Sequence, residues 1–393
     1  MIEEIRFAEF KSLAMQDPIR LPRFLVWVGD NSAGKTNLCD AFEFTRDVLE
    51  RGLREALFEE RRGSFREIVR GRKEEREIFF HFGFSGKGWQ LIYEFKVGLS
   101  ARKGEPQILS ETLTGRLDKR RGPDTLYLER NTVTSQAHNE VSGAKEKWGG
   151  VEPTYLQLAR LTDEERFPAL RRIRDELRSI LVLRPDPRVL RQAATVGGEL
   201  RLGSGGEGLP AILDAADPGQ LDRLARWLAE GDRATQSIRL LPAEPGKKVI
   251  GIMERGENEP YRPQQISDGT LRLLALLATI MGVAPSISTL IVEEPENGVH
   301  FSRLSRLVEL CRKRVSSDPD TQIILTTHSI PLLHSLKREE VMAIVRSENG
   351  TSQILPPPEE EKWQRFQDEA GYTIGDLYST GLWPEQTSRR YNP

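Results

Sequence analysis

Two cysteines in 393 residues, Cys39 and Cys311, are too few and too far apart for a disulfide framework. No C-x-x-C pair occurs, which excludes a zinc knuckle or zinc hook. Both thiols fall in helix-compatible segments and read as packed core residues in a reducing, cytoplasmic setting. Long hydrophobic runs are missing as well. The longest, residues 273–284, falls short of the ~20 apolar residues that cross a bilayer and reads as a buried helix. The opening stretch, MIEEIRFAEFKSLAM, carries acids where a signal peptide needs bases. Neither sign of charge dominates: 57 Lys and Arg against 59 Asp and Glu leave a net charge of −2, so no global basic field draws the chain to nucleic acid. Basic clusters at 61–62, 70–76, 119–121 and 171–174 have acids beside most of them and read as solvated faces. Heptads are absent, because Pro and Gly recur too often between 115 and 246 for a coiled-coil arm.

What is present is a well-cored globular composition, 38% hydrophobic and 30% charged, long enough for about two domains. The strongest local signal is GDNSAGKTN, residues 29–37, which follows the apolar run FLVWV and fits G-x-x-x-x-G-K-S/T. In such a loop Gly29 and Gly34 let the backbone turn so that the N–H groups of Asp30, Asn31, Ser32 and Ala33 face phosphate oxygens. Lys35 reaches the β- and γ-phosphates, and Thr36 places its hydroxyl on Mg²⁺. A helix starting near Lys35 adds its positive dipole end. The nucleotide-binding reading rests on the strand before and the helix after, since a Gly-rich turn alone matches by chance.

Alternation of strand and helix patterns predicts an α/β fold with a mostly parallel core sheet. Four segments follow. Residues 1–114 read as an N-terminal lobe with the P-loop and an antiparallel β subdomain. Residues 115–245 form a mixed, mainly helical insertion, 246–355 a C-terminal lobe, and 356–393 a tail. Within the insertion, FPALRRIRDELRSILVL reads as one amphipathic helix with Phe167, Leu170, Ile173, Leu177, Ile180 and Leu181 on one stripe. Residues 121–150 read as a hairpin and loops.

Three further motifs follow in order. The run Thr289 to Val292 is a buried strand ending in Glu293-Glu294; the first carboxylate suits Mg²⁺ and the second suits an attacking water. The strand QIIL runs into Thr326-Thr327-His328, where His328 can hydrogen-bond a γ-phosphate. Ser267, Asp268 and Gly269 open a helix, either as plain caps or as a phosphate-binding helix start.

This ordered set resembles the ABC-type ATPase heads of the RecF and SMC group. It is most similar to the AAA-21 or OLD-like branch, on ISDGT, LIVEEPENGVH and TTHS, with AEFKS, FREIVRG and GDLYSTGLW as weaker support. The resemblance implies a homodimer with two composite ATP·Mg²⁺ sites, each capped by Ser267, Asp268 and Gly269 of the second protomer. It also places Asn31, Asn37 and Lys11 near the nucleotide and makes residues 296–300 a D-loop, with His300 either part of it or a helix-start residue. Departures are a Glu in place of the usual Walker B Asp, and no clear Q-loop glutamine. OLD-like nucleases carry a TOPRIM domain after the ATPase, whereas residues 356–393 are too short for one and lack a D-x-D pair. Stand-alone heads of this branch resemble ATPase subunits of two-component antiphage defence systems, which implies a separate nuclease-type effector. A RecF-like DNA-binding repair ATPase is the alternative, with a transporter subunit and a non-hydrolysing scaffold further behind.

Overall fold

The computed structural model describes residues 1–58, 62–118, 123–148, 150–230 and 234–384. The basic residues Arg61 and 119–121 and the tail beyond 384 lie outside the described residues. The chain divides into two compact units.

The first unit comprises Met1–Pro22, Gly29–Ile180 and Met342–Leu355. Its sheet runs, in spatial order, through Lys145–Trp148, Ser135–His138, Thr125–Arg130, Pro106–Arg116, Trp89–Leu99, Ile78–Gly86 and Ile2–Phe10, every neighbour antiparallel. Strict alternation explains the pairing: Trp89, Leu91, Tyr93, Phe95 and Val97 are buried while their intervening neighbours up to Lys96 are not. Phe80 stacks on Phe95 at 4.6 Å, and Phe7 meets Phe42 edge-on at 5.3 Å. Phe42 belongs to the helix Lys35–Arg51, which ends at Gly52 in a φ of 87° that suits glycine. Each such buried ring contributes about 1.5–3 kcal/mol, so the aromatic layer fixes this helix on the sheet. The expected hairpin and loops of 121–150 instead supply the three outermost strands.

The second unit comprises Arg23–Val28, Leu181–Val341 and the residues from Pro356 on. Here the expected parallel core is present. Phe24–Val28 pairs in parallel with Gln322–Thr327, which pairs in parallel with Thr289–Glu293. Every residue of the first two strands is buried, as in parallel sheets covered on both faces. The helix Leu304–Ser317 packs on this core, and Asp268–Ile280 packs on the Thr289–Glu293 strand. Cys311 lies buried in the former, its thiol pushed up to about 12 by burial; Cys39 is also buried, so both thiols are core residues.

One expectation is corrected. The amphipathic helix spans Pro168–Arg178 only, and Ile180–Leu183 is a fully buried strand beside Thr289–Glu293. Ser179 leaves helical geometry, and a four-residue apolar run continues the 3.6-residue stripe by coincidence.

Candidate nucleotide site

In the first unit the P-loop and its helix stand as the pattern requires. The helix starts at Lys35, after Gly34 in a φ of 114°. A Cβ on Gly34 would lie 2.1 Å from the Ser352 hydroxyl, and one on Gly29 would lie 2.4 Å from the Ile344 carbonyl oxygen. Both glycines are therefore required by close approach, and Gly34 by its backbone angle too. Ser32 also takes a left-handed φ, 69°. The Lys35 ammonium is buried and donates to the carbonyls of Gly29 at 2.6 Å and Asp30 at 3.1 Å, lying along the loop it serves. Asp30, Asn31, Ser32 and Thr36 are exposed and Ala33 is buried.

A polar belt holds this loop from behind. Asn37 Nδ2 donates to Ser12 Oγ at 2.7 Å, and Ser12 Oγ shares a 2.7 Å hydrogen bond with Ser352 Oγ. Ser352 Oγ also lies 2.6 Å from the Ala33 carbonyl, to which it donates. Arg346 donates to the Ser32 carbonyl at 3.0 Å. Asn37 thus joins the loop's support, while Ser12, Ser352 and Arg346 were not anticipated; no local pattern marks them. Lys11 pairs at 2.7 Å with Asp40 on the P-loop helix. Asp40 and Asp47 of that helix also bind the buried Arg62 at 2.8 and 2.7 Å. Burial works against the Arg62 charge, but these two acids prevail and hold its guanidinium above the usual arginine range.

In the second unit the parallel register sets Val28 beside Thr327, and Thr326 beside Glu293, so three strand ends align. Open α/β sheets place ligands at this carboxyl edge. Glu293 ends its strand with a largely buried side chain; one oxygen accepts from Arg184 Nε, and the other, Oε1, is buried with no hydrogen-bond donor among the described residues. An orphaned buried carboxylate oxygen fits a hard cation such as Mg²⁺.

Glu294 adopts a left-handed φ of 49°, uncommon for a residue with a side chain and costly by about 1–3 kcal/mol. Its N–H donates to the Thr326 carbonyl at 3.0 Å. Asn297 Nδ2 donates to Glu294 Oε2 at 2.9 Å, and His328 Nδ1 lies 3.3 Å from Glu294 Oε1. Glu296 closes the group: its Oε1 accepts from the Thr327 hydroxyl at 2.7 Å and the His328 N–H at 3.1 Å. The structure therefore brings Glu294 and His328 together, with Asn297 and Glu296 as unanticipated supports.

Ser267 caps the helix Asp268–Ile280, its hydroxyl accepting from Thr270 N at 3.1 Å. Asp268 is held by Arg191 at 2.6 Å. A cavity of about 450 Å³ is lined by Ser267, Gly269, Thr270, Gly298, His300 and Arg303, between the start of the helix Asp268–Ile280 and residues 298–303. His300 Nδ1 lies 2.8 Å from Ser302 Oγ, as a helix-start residue would.

Known proteins resemble this chain in fold and in family. Solved structures with similar folds include the Smc head bound to the C-winged helix domain of ScpA, at 14% identity and TM-score 0.57 over 92% of this chain and 99% of that one. Another is the Smc head domain with an extended coiled coil bound to the C-terminal domain of ScpA, derived from Pyrococcus furiosus. It matches at 13% identity and TM-score 0.54 over 94% of this chain and 99% of that one. The fold is thus that of these Smc head domains. No curated protein matches the chain. Residues 24–335 match the AAA-21 family, described as "AAA domain, putative AbiEii toxin, Type IV TA system". Because that match spans most of the chain, from the strand before the P-loop to beyond His328, the protein belongs to the AAA-21 family.

Proposed function

We propose that this chain binds and hydrolyses ATP, dimerises through its ATP sites, and thereby gates a separate nuclease-type effector in antiphage defence. The observation that carries the hydrolytic part is Glu294, held in a strained backbone conformation with its carboxylate hydrogen-bonded by Asn297 and facing His328. Strain of this kind persists where surrounding structure fixes a side chain for a task.

In this reading Gly29, Asp30, Asn31, Ser32, Ala33 and Gly34 present backbone N–H groups to the triphosphate. Lys35 leaves the carbonyls of Gly29 and Asp30 for phosphate oxygens. Asn37, held on Ser12, and Lys11, held on Asp40 of the P-loop helix, lie near the nucleotide. Thr36 and Glu293 would hold Mg²⁺, which neutralises charge on the phosphates when bound. Glu294 orients water and takes its proton, and His328 donates to the γ-phosphate. Ser267, Asp268 and Gly269 of a second copy cap the site.

The family description places AAA-21 domains in a type IV toxin–antitoxin system, which supports action within a system of more than one component. Heads of this fold are seen bound to a separate polypeptide, a domain of ScpA. The test is the mass of the complex recovered with this chain from its native host in ATP, with Lys35→Ala as control. A stoichiometric nuclease-like partner, lost in the control, is expected. A bare dimer, or a dimer carrying DNA, removes the two-component reading and puts the RecF-like repair role in its place.

A further inference from the structure

Arg184 follows directly on the strand Ile180–Leu183, whose neighbour in the sheet is Thr289–Glu293. That adjacency delivers its guanidinium to the Walker B carboxylate: Arg184 Nε donates to Glu293 Oε2. The two side chains are 14% and 12% exposed, so water screens the pair weakly. The Arg184 backbone is anchored as well, its N–H donating to the Ser204 carbonyl at 2.7 Å. Among the described residues, Glu293 Oε1 remains buried without a hydrogen-bond donor.

A carboxylate in this setting already has its charge compensated. A second cation on the same group gains less attraction and meets the arginine's positive charge at short range. Two cations that share one buried anion are therefore coupled negatively, and the coupling is reciprocal. We propose that Arg184 is a built-in competitor for the Mg²⁺ that Glu293 would hold, and that it sets how much Mg²⁺ the chain requires before it retains ATP. The inference rests on the reading of Glu293 as the metal carboxylate. It gives a function to the longer Walker B side chain, since a Glu reaches a partner across the strand gap and still presents its second oxygen.

The experiment is a titration of Mg²⁺ against binding of a fluorescent ATP analogue at pH 8, using the full chain. Wild type, Arg184→Gln and Arg184→Lys are compared after thermal melts establish that each is folded. Arg184→Gln is expected to lower the Mg²⁺ midpoint at least about tenfold, while Arg184→Lys, which keeps the charge, stays near wild type. An unchanged or higher midpoint in Arg184→Gln overturns the inference, the higher value meaning that Arg184 orients Glu293 for the metal. Should Arg184→Gln not fold, Arg184→Met, which keeps the aliphatic stem without the charge, carries the same expectation. Wild-type binding that ignores Mg²⁺ defeats the assignment of Glu293 itself and takes the inference with it; a wild-type response with an unmoved variant defeats the inference alone.

Discussion

Replacing Arg62 by Met is the sharpest structural test, because one side chain neutralises a row of buried acids on the P-loop helix. Asp40, Glu43 and Asp47 are all buried on that helix, and Arg62 reaches them at 2.8, 3.9 and 2.7 Å. It also donates to the Ala56 carbonyl at 2.9 Å and lies 5.3 Å over the Phe44 ring. Its own side chain is 2% exposed. Breaking a buried ion pair by removing one partner costs about 3–5 kcal/mol, because the remaining charge stays desolvated. Neighbouring cations soften the loss: Lys11 keeps Asp40 at 2.7 Å, and Arg46 and Arg51 keep Asp47 at 3.4 and 3.7 Å. The expected cost is therefore near the lower figure, about 3 kcal/mol. Urea denaturation measures it, and hydrogen exchange of the 35–51 amides locates it. Asp47→Asn is then expected to cost less in the Arg62→Met background than in wild type, since the pair is one unit. A loss below about 1 kcal/mol, the range of surface pairs, or full additivity of the two substitutions, refutes the reasoning.

Three more expectations follow from single contacts. Glu140 accepts from the Ala169 N–H at 3.0 Å, and burial pushes its carboxyl up to about 7. A raised carboxyl favours the native state below the unfolded value near 4.3 and loses that advantage as pH rises through about 7; Glu140→Gln is thus expected to stabilise by roughly 1 kcal/mol at pH 8, discounted for partial exposure, and not at pH 4, as thermal melts at the two values would measure. Gly34→Ala puts a methyl 2.1 Å from Ser352 Oγ at a φ of 114°; it is expected to cost about 2 kcal/mol or more in urea and to abolish binding of a fluorescent ATP analogue. Asn297→Ala frees the Glu294 carboxylate from its 2.9 Å hydrogen bond; kcat for ATP is expected to fall about 10- to 100-fold with KM unchanged, and a change confined to KM contradicts the positioning role.

The parts of the fold legible in the sequence are those whose information is local. The P-loop is one continuous turn between a five-residue buried strand and a helix, so its glycines, lysine and helix start fall where the pattern puts them. Glu293, Glu294 and His328 are likewise strand-end residues that periodicity locates. Ile180–Leu183 escaped because four apolar residues after an amphipathic helix satisfy either period, and only pairing with Thr289–Glu293 makes them a strand. Arg184 was lost with it. The Ser12–Ser352 hydrogen bond joins residues 340 positions apart, and two serines of ordinary context give no sign of meeting. Glu296 sits inside a motif already read, yet its bond to the Thr327 hydroxyl depends on strand register rather than on spacing.

The central claim is that ATP at one protomer is capped by Ser267, Asp268 and Gly269 of another. Its most direct test is the solution mass of Glu294→Gln with ATP and Mg²⁺, by light scattering after size exclusion, together with the nucleotide retained. The account predicts a stable dimer holding two ATP molecules, which Ser267→Arg on the capping helix abolishes without preventing ATP binding to the monomer. A monomer that retains ATP, or a dimer unchanged by Ser267→Arg, contradicts it.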